Sequence, residues 1–120
     1  MHPAPRRITI PTAFHHPRAR PMIHLHLHIR VPRSNRAAFL AFLRDAIPFY
    51  ESPGDIRIRL IEDLRDPERF IEIVDYATRA AYDADQHRVA TDPAMRSYLD
   101  RWRTLLAAPP KVEAFSEVPL

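Results

Sequence analysis

From Ile23 to Val31 the chain reads IHLHLHIRV, and apolar and polar residues alternate without exception. Ile23, Leu25, Leu27, Ile29 and Val31 share one side, and His24, His26, His28 and Arg30 share the other. Successive side chains of a strand point to opposite faces, so this run is a strand with one face to bury and one polar face. A strand of this kind belongs in an antiparallel sheet covered on one side only.

The remaining pattern supplies the rest of the sheet and its cover. After Pro32, Ser34 is placed to cap a helix running to about Ile47, with Phe39, Phe42, Leu43 and Ala46 at helical spacing and Pro48 expected to end it. DIRIRLIEDL alternates again, with Ile56, Ile58 and Leu60 opposed to Arg57, Arg59 and Ile61. RFIEIVDYA follows across a short polar turn, which predicts an antiparallel hairpin. Thr78 opens a helical stretch, and Asp92 followed by Pro93 starts a second. Met95, Leu99, Trp102 and Leu106 form its apolar stripe, Pro109 and Pro110 are expected to stop it, and KVEAFSEV supplies a last strand. The order is β-α-β-β-α-β, an α+β ferredoxin-like arrangement with the helices on one face of an antiparallel sheet. Ile61, Tyr76 and Phe115 add apolar material beyond what one buried face requires, which predicts a homodimer joined through the open sheet face.

Composition removes several function classes. The chain of 120 residues has room for one domain, placed at residues 22 to 120. It contains one glycine, Gly54, and so cannot build a dinucleotide fingerprint or a phosphate-cradling loop, both of which need several. It has no cysteine, hence no disulfide, thiolate metal site or cysteine nucleophile. No run of about 18 apolar residues exists to make a membrane span, and no signal-peptide core is present, so the expected location is cytoplasmic. Arginine in place of nearly all lysine, with abundant alanine and proline, suggests a GC-rich bacterial source.

The formal charge of +3 is the sum of two unlike parts. Eight arginines precede Asp45, the first acidic residue, which leaves ten basic against fifteen acidic residues in 45 to 120, a net charge of −5. The total is therefore no sign of a nucleic-acid-binding domain. Residues 1 to 21 hold five of the 13 prolines and show no period that could bury a face, so they are expected to be a disordered basic arm. A dispensable extension ahead of a start at Met22 is the simplest account. Polyanion binding would rest on four arginines without interleaved aromatics, and a targeting leader on an amphipathic helix that the prolines interrupt.

VPRSNRAAFLAFL, ESPGDIRIRLIEDLRDPERFIEIVDYA, YDADQHRVATDPAMRSYL and VEAFSEV together resemble an antibiotic biosynthesis monooxygenase (ABM) domain over about residues 22 to 118. The shared features are a first strand ending in Val-Pro, a Phe-rich first helix, a glycine opening strand two and an aromatic closing strand three. The resemblance implies a dimeric α+β barrel. Its implied activity is that of an oxygenase working without a prosthetic group on an aromatic substrate, in a pocket between sheet and helices. Tyr76 stands where many members have tryptophan, and the usual histidine position falls near Asp85 or Gln86, with His87 the nearest histidine. Haem degradation, which relies on that histidine, is the less favoured branch.

The candidate catalytic residues are therefore His87, as a base forming a substrate anion, and Tyr76, with Tyr82, Trp102 and Phe39 as candidate substrate-binding residues. Core packing competes for Trp102, and surface exposure for His87. The row of His24, His26 and His28 could bring an adjacent pair to a metal with help from Glu72, Asp75, Glu113 or Glu117. The expectation is instead a polar row that hydrogen-bonds across strands, with no metal and no cofactor. Arg57 and Arg59 are expected to pair with Glu72 or Glu113. A non-enzymatic ligand-binding or interaction domain of the same fold is the alternative. A cavity of at least about 300 Å³ reached by Tyr76 and His87 would favour the enzyme.

Overall fold

The computed structural model describes residues 22–120. The expectation of a disordered arm at 1–21 lies outside the described residues. The elements are β1 (Ile23–Arg30), a 3-10 turn (Arg33–Asn35), α1 (Arg36–Glu51), β2 (Ile56–Glu62), β3 (Arg69–Tyr76), α2 (Arg79–Thr91), α3 (Pro93–Thr104) and β4 (Lys111–Ser116). The strands form one sheet in the order β2-β3-β1-β4, antiparallel throughout, which is the predicted ferredoxin-like arrangement. Among the described residues no helix is long and apolar enough to cross a membrane.

Register assigns every strand residue to a face. Leu25 pairs with Val74 and Ala114, and His26 with Ile73 and Glu113. Because side chains directly opposite share a face, Phe70, Glu72, Val74 and Tyr76 lie on the helix side with the apolar row of β1. Ile71, Ile73, Asp75, Glu113 and Phe115 lie with the histidines, and the hairpin register adds Arg57, Arg59 and Ile61 to them.

Three boundaries differ from expectation. Ser34 does not cap α1; it sits in the 3-10 turn, and Asn35 at the helix start sends its side-chain amide to the Leu105 carbonyl at 3.2 Å. Pro48 does not end the helix, which continues to Glu51. Proline forfeits one helical N–H bond, but the last turn is held from outside. Arg88 donates to the carbonyls of Phe49 (3.2 Å) and Tyr50 (2.7 Å), and the Phe49 ring stacks on Tyr98 at 4.6 Å. Finally, α3 stops at Thr104, well before Pro109, because the chain turns to join β1, where the Ala107 N–H donates to the Arg30 carbonyl at 2.8 Å. The other caps are as read. Thr78 Oγ1 accepts from the Ala81 N–H at 3.0 Å, and Asp92 accepts from the Ala94 N–H at 2.9 Å with Pro93 at the first helical position.

Gly54 (φ 87°) and Asp55 (φ 62°) make the left-handed turn into β2, which glycine and aspartate adopt most readily. The Asp55 carbonyl then receives the Ala77 N–H at 2.9 Å, fixing the end of β3 beside this turn.

The core is in two parts. The larger joins Ile29 and Val31 to Phe39, Phe42, Leu43, Ala46 and Tyr50 of α1, Phe70 of β3, and Met95 and Trp102 of α3. The smaller is built on Ile56, Val74 and Tyr76. None of the α2 residues is buried, consistent with its charged sequence.

Candidate functional site

The two core clusters do not meet everywhere, and a cavity of about 220 Å³ lies between them. Tyr50, Met95 and Trp102 of the larger cluster and Ile56, Val74 and Tyr76 of the smaller all line it. Leu25, Leu27 and Ile58 extend the sheet floor, while Asp85, Gln86 and Val89 of α2 and Leu99 and Arg103 of α3 form the helical side. The lining is mainly apolar with a few polar groups, the usual composition of a small-molecule site.

Glu72 is the most consequential of those groups. Strand alternation inserts it between Phe70 and Val74 on the covered face, where it is 5% exposed. Its Oε1 accepts the Trp102 indole N–H at 3.1 Å. Burial pushes the carboxyl up to about 7, against the opposing pull of the Trp102 hydrogen bond. This acid titrates near neutral pH inside an apolar cavity, the condition for proton transfer.

Two tyrosines add hydroxyls. Tyr76, 1% exposed, donates to Asp85 Oδ2 at 2.5 Å, and Asp85 Oδ1 in turn accepts from Arg88 Nε at 3.3 Å. Burial first, then the hydrogen bond to Asp85, raises the Tyr76 phenol far above its ordinary value, so it stays protonated. Tyr50 is also buried, and its hydroxyl is the buried side-chain polar atom left without a hydrogen-bond partner among the described residues.

Of the residues chosen from sequence, Tyr76 and Trp102 line the cavity. Tyr82 does not: its ring packs edge-on behind Tyr76 at 5.3 Å. Phe39 is likewise elsewhere, fully buried against Phe70 at 5.6 Å in the larger cluster. His87 is exposed and off the cavity wall, because Asp85, Gln86 and Val89 take the inward positions of α2 and one further residue turns the side chain by about 100°. The cavity is thus open rather than filled, yet smaller than the expected 300 Å³ and without His87. Glu72 and Tyr50 were not chosen as site residues. The signal for Glu72 was present, since the alternation of Phe70, Val74 and Tyr76 puts a carboxylate on the covered face.

The histidine row lies on the open face, paired with carboxylates. His24 Nδ1 is 2.6 Å from Asp75 and its Nε2 3.3 Å from Glu117, while His28 Nε2 is 2.9 Å from Glu113. Among the described residues no group of three His, Asp or Glu side chains is arranged to hold a metal ion. Arg59 pairs with Asp75 at 2.7 Å, not with Glu72 or Glu113, since Glu72 points through the sheet to the other side. Burial opposes ionisation of Asp75, but the bonds from Arg59 and His24 outweigh it and hold the carboxyl below its ordinary value. Ile61 and Phe115 are 47% and 46% exposed on this face, whereas Tyr76 belongs to the covered one.

A family model described as antibiotic biosynthesis monooxygenase matches residues 22–92. No curated protein sequence matches the chain. Among solved structures, a Bordetella bronchiseptica protein provisionally named an antibiotic biosynthesis monooxygenase shares 22% identity and a TM-score of 0.67, over 82% of this chain and 99% of that one. SnoaB, a cofactor-independent oxygenase from Streptomyces nogalater, is 12% identical with a TM-score of 0.67, over 82% and 95%. A conserved protein from Methanosarcina mazei Go1 is 10% identical with the same TM-score, over 79% and 91%. At these identities the likeness shows the fold alone.

Proposed function

The chain belongs to the antibiotic biosynthesis monooxygenase family, and we propose that its cavity is the active site of an oxygenase for a small aromatic substrate, working without a prosthetic group. The observation that carries this reading is a buried carboxyl, Glu72, facing an apolar cavity between sheet and helices. A dry cavity of about 150 Å³ takes benzene, so 220 Å³ suits one or two fused rings. Trp102 and Tyr76 both supply aromatic rings to its lining.

In the proposed reaction the Glu72 carboxylate, in place of His87, removes a proton from a CH₂ group activated by the ring system. The resulting anion gives electrons to dioxygen, and a C–O bond forms to yield a hydroperoxide. Loss of water, using the second hydrogen of that carbon, leaves a carbonyl. One oxygen atom enters the product and the other leaves as water, with dioxygen as the sole oxidant.

Two copies of the chain are proposed to associate through the open sheet faces. Ile61 and Phe115, both exposed on that face, with the half-buried Ile71 opposite Ile61, supply apolar material for a twofold contact.

Dioxygen uptake with β-tetralone and 2-indanone, each with a CH₂ between ring and carbonyl, tests the activity. Uptake above the buffer rate, falling at least about a hundredfold in Glu72→Gln, supports it. The non-enzymatic alternative draws on the modest size of the cavity and predicts binding of these compounds with no uptake.

A further inference from the structure

We propose that Arg103 determines specificity at the mouth of the cavity by binding an anionic group of the ligand. The ligand class is then an aryl carboxylate, its ring inside the cavity and its acid at the rim. This rests on the cavity being the ligand site and names the chemistry of what enters it.

Exposure of the lining residues locates the mouth. Glu72, Tyr76 and Trp102 are buried, whereas Gln86 and Val89 of α2, Arg103 of α3 and Val112 of β4 line the same cavity and are exposed. Arg103 is the cationic side chain of that lining. Its ion pair with Asp100 spans 3.5 Å between side chains 56% and 67% exposed, and Asp100 does not line the cavity. A pair so long and so open to water holds the guanidinium weakly. It engages Nη1 alone, which leaves Nε and Nη2 for a carboxylate, the group that arginine binds through two parallel N–H bonds. Gln86 offers an amide donor at the same mouth.

The interior sets the direction of the ligand. Glu72 is a buried acid whose hydrogen bond comes from the neutral Trp102 indole. A ligand anion placed deep would face that carboxyl, whereas at the rim it faces Arg103, so the charges repel it inward and attract it outward. Ring surface has the opposite preference, since Val74, Met95 and Trp102 give the interior its apolar character. The two ends of an aryl carboxylate are thereby sorted, ring inward and acid outward.

The test compares 2-naphthoate with 2-naphthamide, which has nearly the same shape and no charge. Trp102 is the chain's one tryptophan, so its indole N–H gives a single signal in proton–nitrogen NMR, and a naphthalene ring in the cavity shifts it. Titrations at pH 7.5 are expected to show 2-naphthoate binding about 10- to 100-fold tighter than the amide. In Arg103→Gln that preference should vanish through loss of naphthoate affinity, with the amide unchanged, and Arg103→Lys should retain part of it. Added salt should reduce the wild-type preference, because the mouth is open to water. An amide bound equally by wild type and Arg103→Gln also shows that the variant's cavity is intact. Equal affinity for the two compounds in the wild type, or a preference that survives in Arg103→Gln, overturns the proposal. So does naphthoate that leaves the Trp102 signal in place. Dioxygen uptake with the neutral β-tetralone reports separately on the oxygenase: uptake without a naphthoate preference removes the anchor and keeps that reading. A preference that depends on Arg103, without uptake, supports the anchor and removes the oxygenase.

Discussion

The indole N–H of Trp102 on α3 donates to the carboxyl of Glu72 on β3 across 3.1 Å, inside the protein and at the wall of its cavity. Because this bond favours the ionised carboxyl, it sets the pKa of Glu72 against the larger effect of burial. Trp102→Phe keeps an aromatic wall and removes the donor. The Glu72 titration, read by carbon-13 NMR of its carboxyl, is expected to move above its wild-type position near 7. Stability at pH 8 is expected to fall by about 1–3 kcal/mol on chemical denaturation.

Glu72 also makes stability depend on pH. Its pKa is raised in the folded protein, from 4.5 to about 7, so between those values the folded state binds the proton more tightly than the unfolded one. Stability is therefore greatest at and below pH 4.5 as far as this group is concerned, declines as pH rises through the window, and carries the full penalty above pH 7. Glu72→Gln removes the penalty, roughly 3 kcal/mol at one pKa unit per 1.36 kcal/mol. The variant is expected to be more stable than wild type at pH 8, with the difference shrinking toward pH 5. Urea titrations at the two pH values check this, and a variant less stable at pH 8 would contradict the assigned environment.

Arg88 ties α2 to the last turn of α1 through the Phe49 and Tyr50 carbonyls and also holds Asp85, with its guanidinium 5.0 Å from the Phe49 ring centroid. Arg88→Met keeps much of the stem and loses every one of these donors. A destabilisation of about 2–3 kcal/mol is expected. Faster amide exchange in residues 49 to 51 should accompany it, since that turn has lost its external support.

On the open face, Phe115→Arg combined with Ile61→Arg places charge where two sheets are proposed to meet. Light scattering at micromolar concentration is expected to report a dimer for the wild type and a monomer for the double variant. Circular dichroism of the variant should be unchanged, because both side chains lie outside the core clusters.

The alternation of IHLHLHIRV and of the β2-β3 hairpin makes the strands and their faces readable, because strand periodicity is a local property of the chain. The end of α1 was not readable. Pro48 reads as a terminator, and what overrides it is Arg88, 40 residues away in sequence and adjacent only once the chain has folded. Tyr76 is legible as a cavity residue from its place at a strand end, whereas the stripe that holds Trp102 favours core packing, and Trp102 both belongs to the larger cluster and lines the cavity. His87 drew attention through its chemistry, but helix phase assigns the cavity wall to Asp85, Gln86 and Val89 instead. Tyr50 carried no local signal at all, since the missing partner of a buried hydroxyl is visible only when every neighbour is in place.

The central claim is that Glu72, in this cavity, is the proton acceptor of an oxygenase, and the pH profile of dioxygen uptake with β-tetralone tests it most directly. For the wild type kcat/KM should rise with pH through an apparent pKa near 7. It should fall by about 10²- to 10⁴-fold in Glu72→Gln and stay unchanged in His87→Ala. Uptake that persists in Glu72→Gln, or that disappears in His87→Ala, would contradict the account.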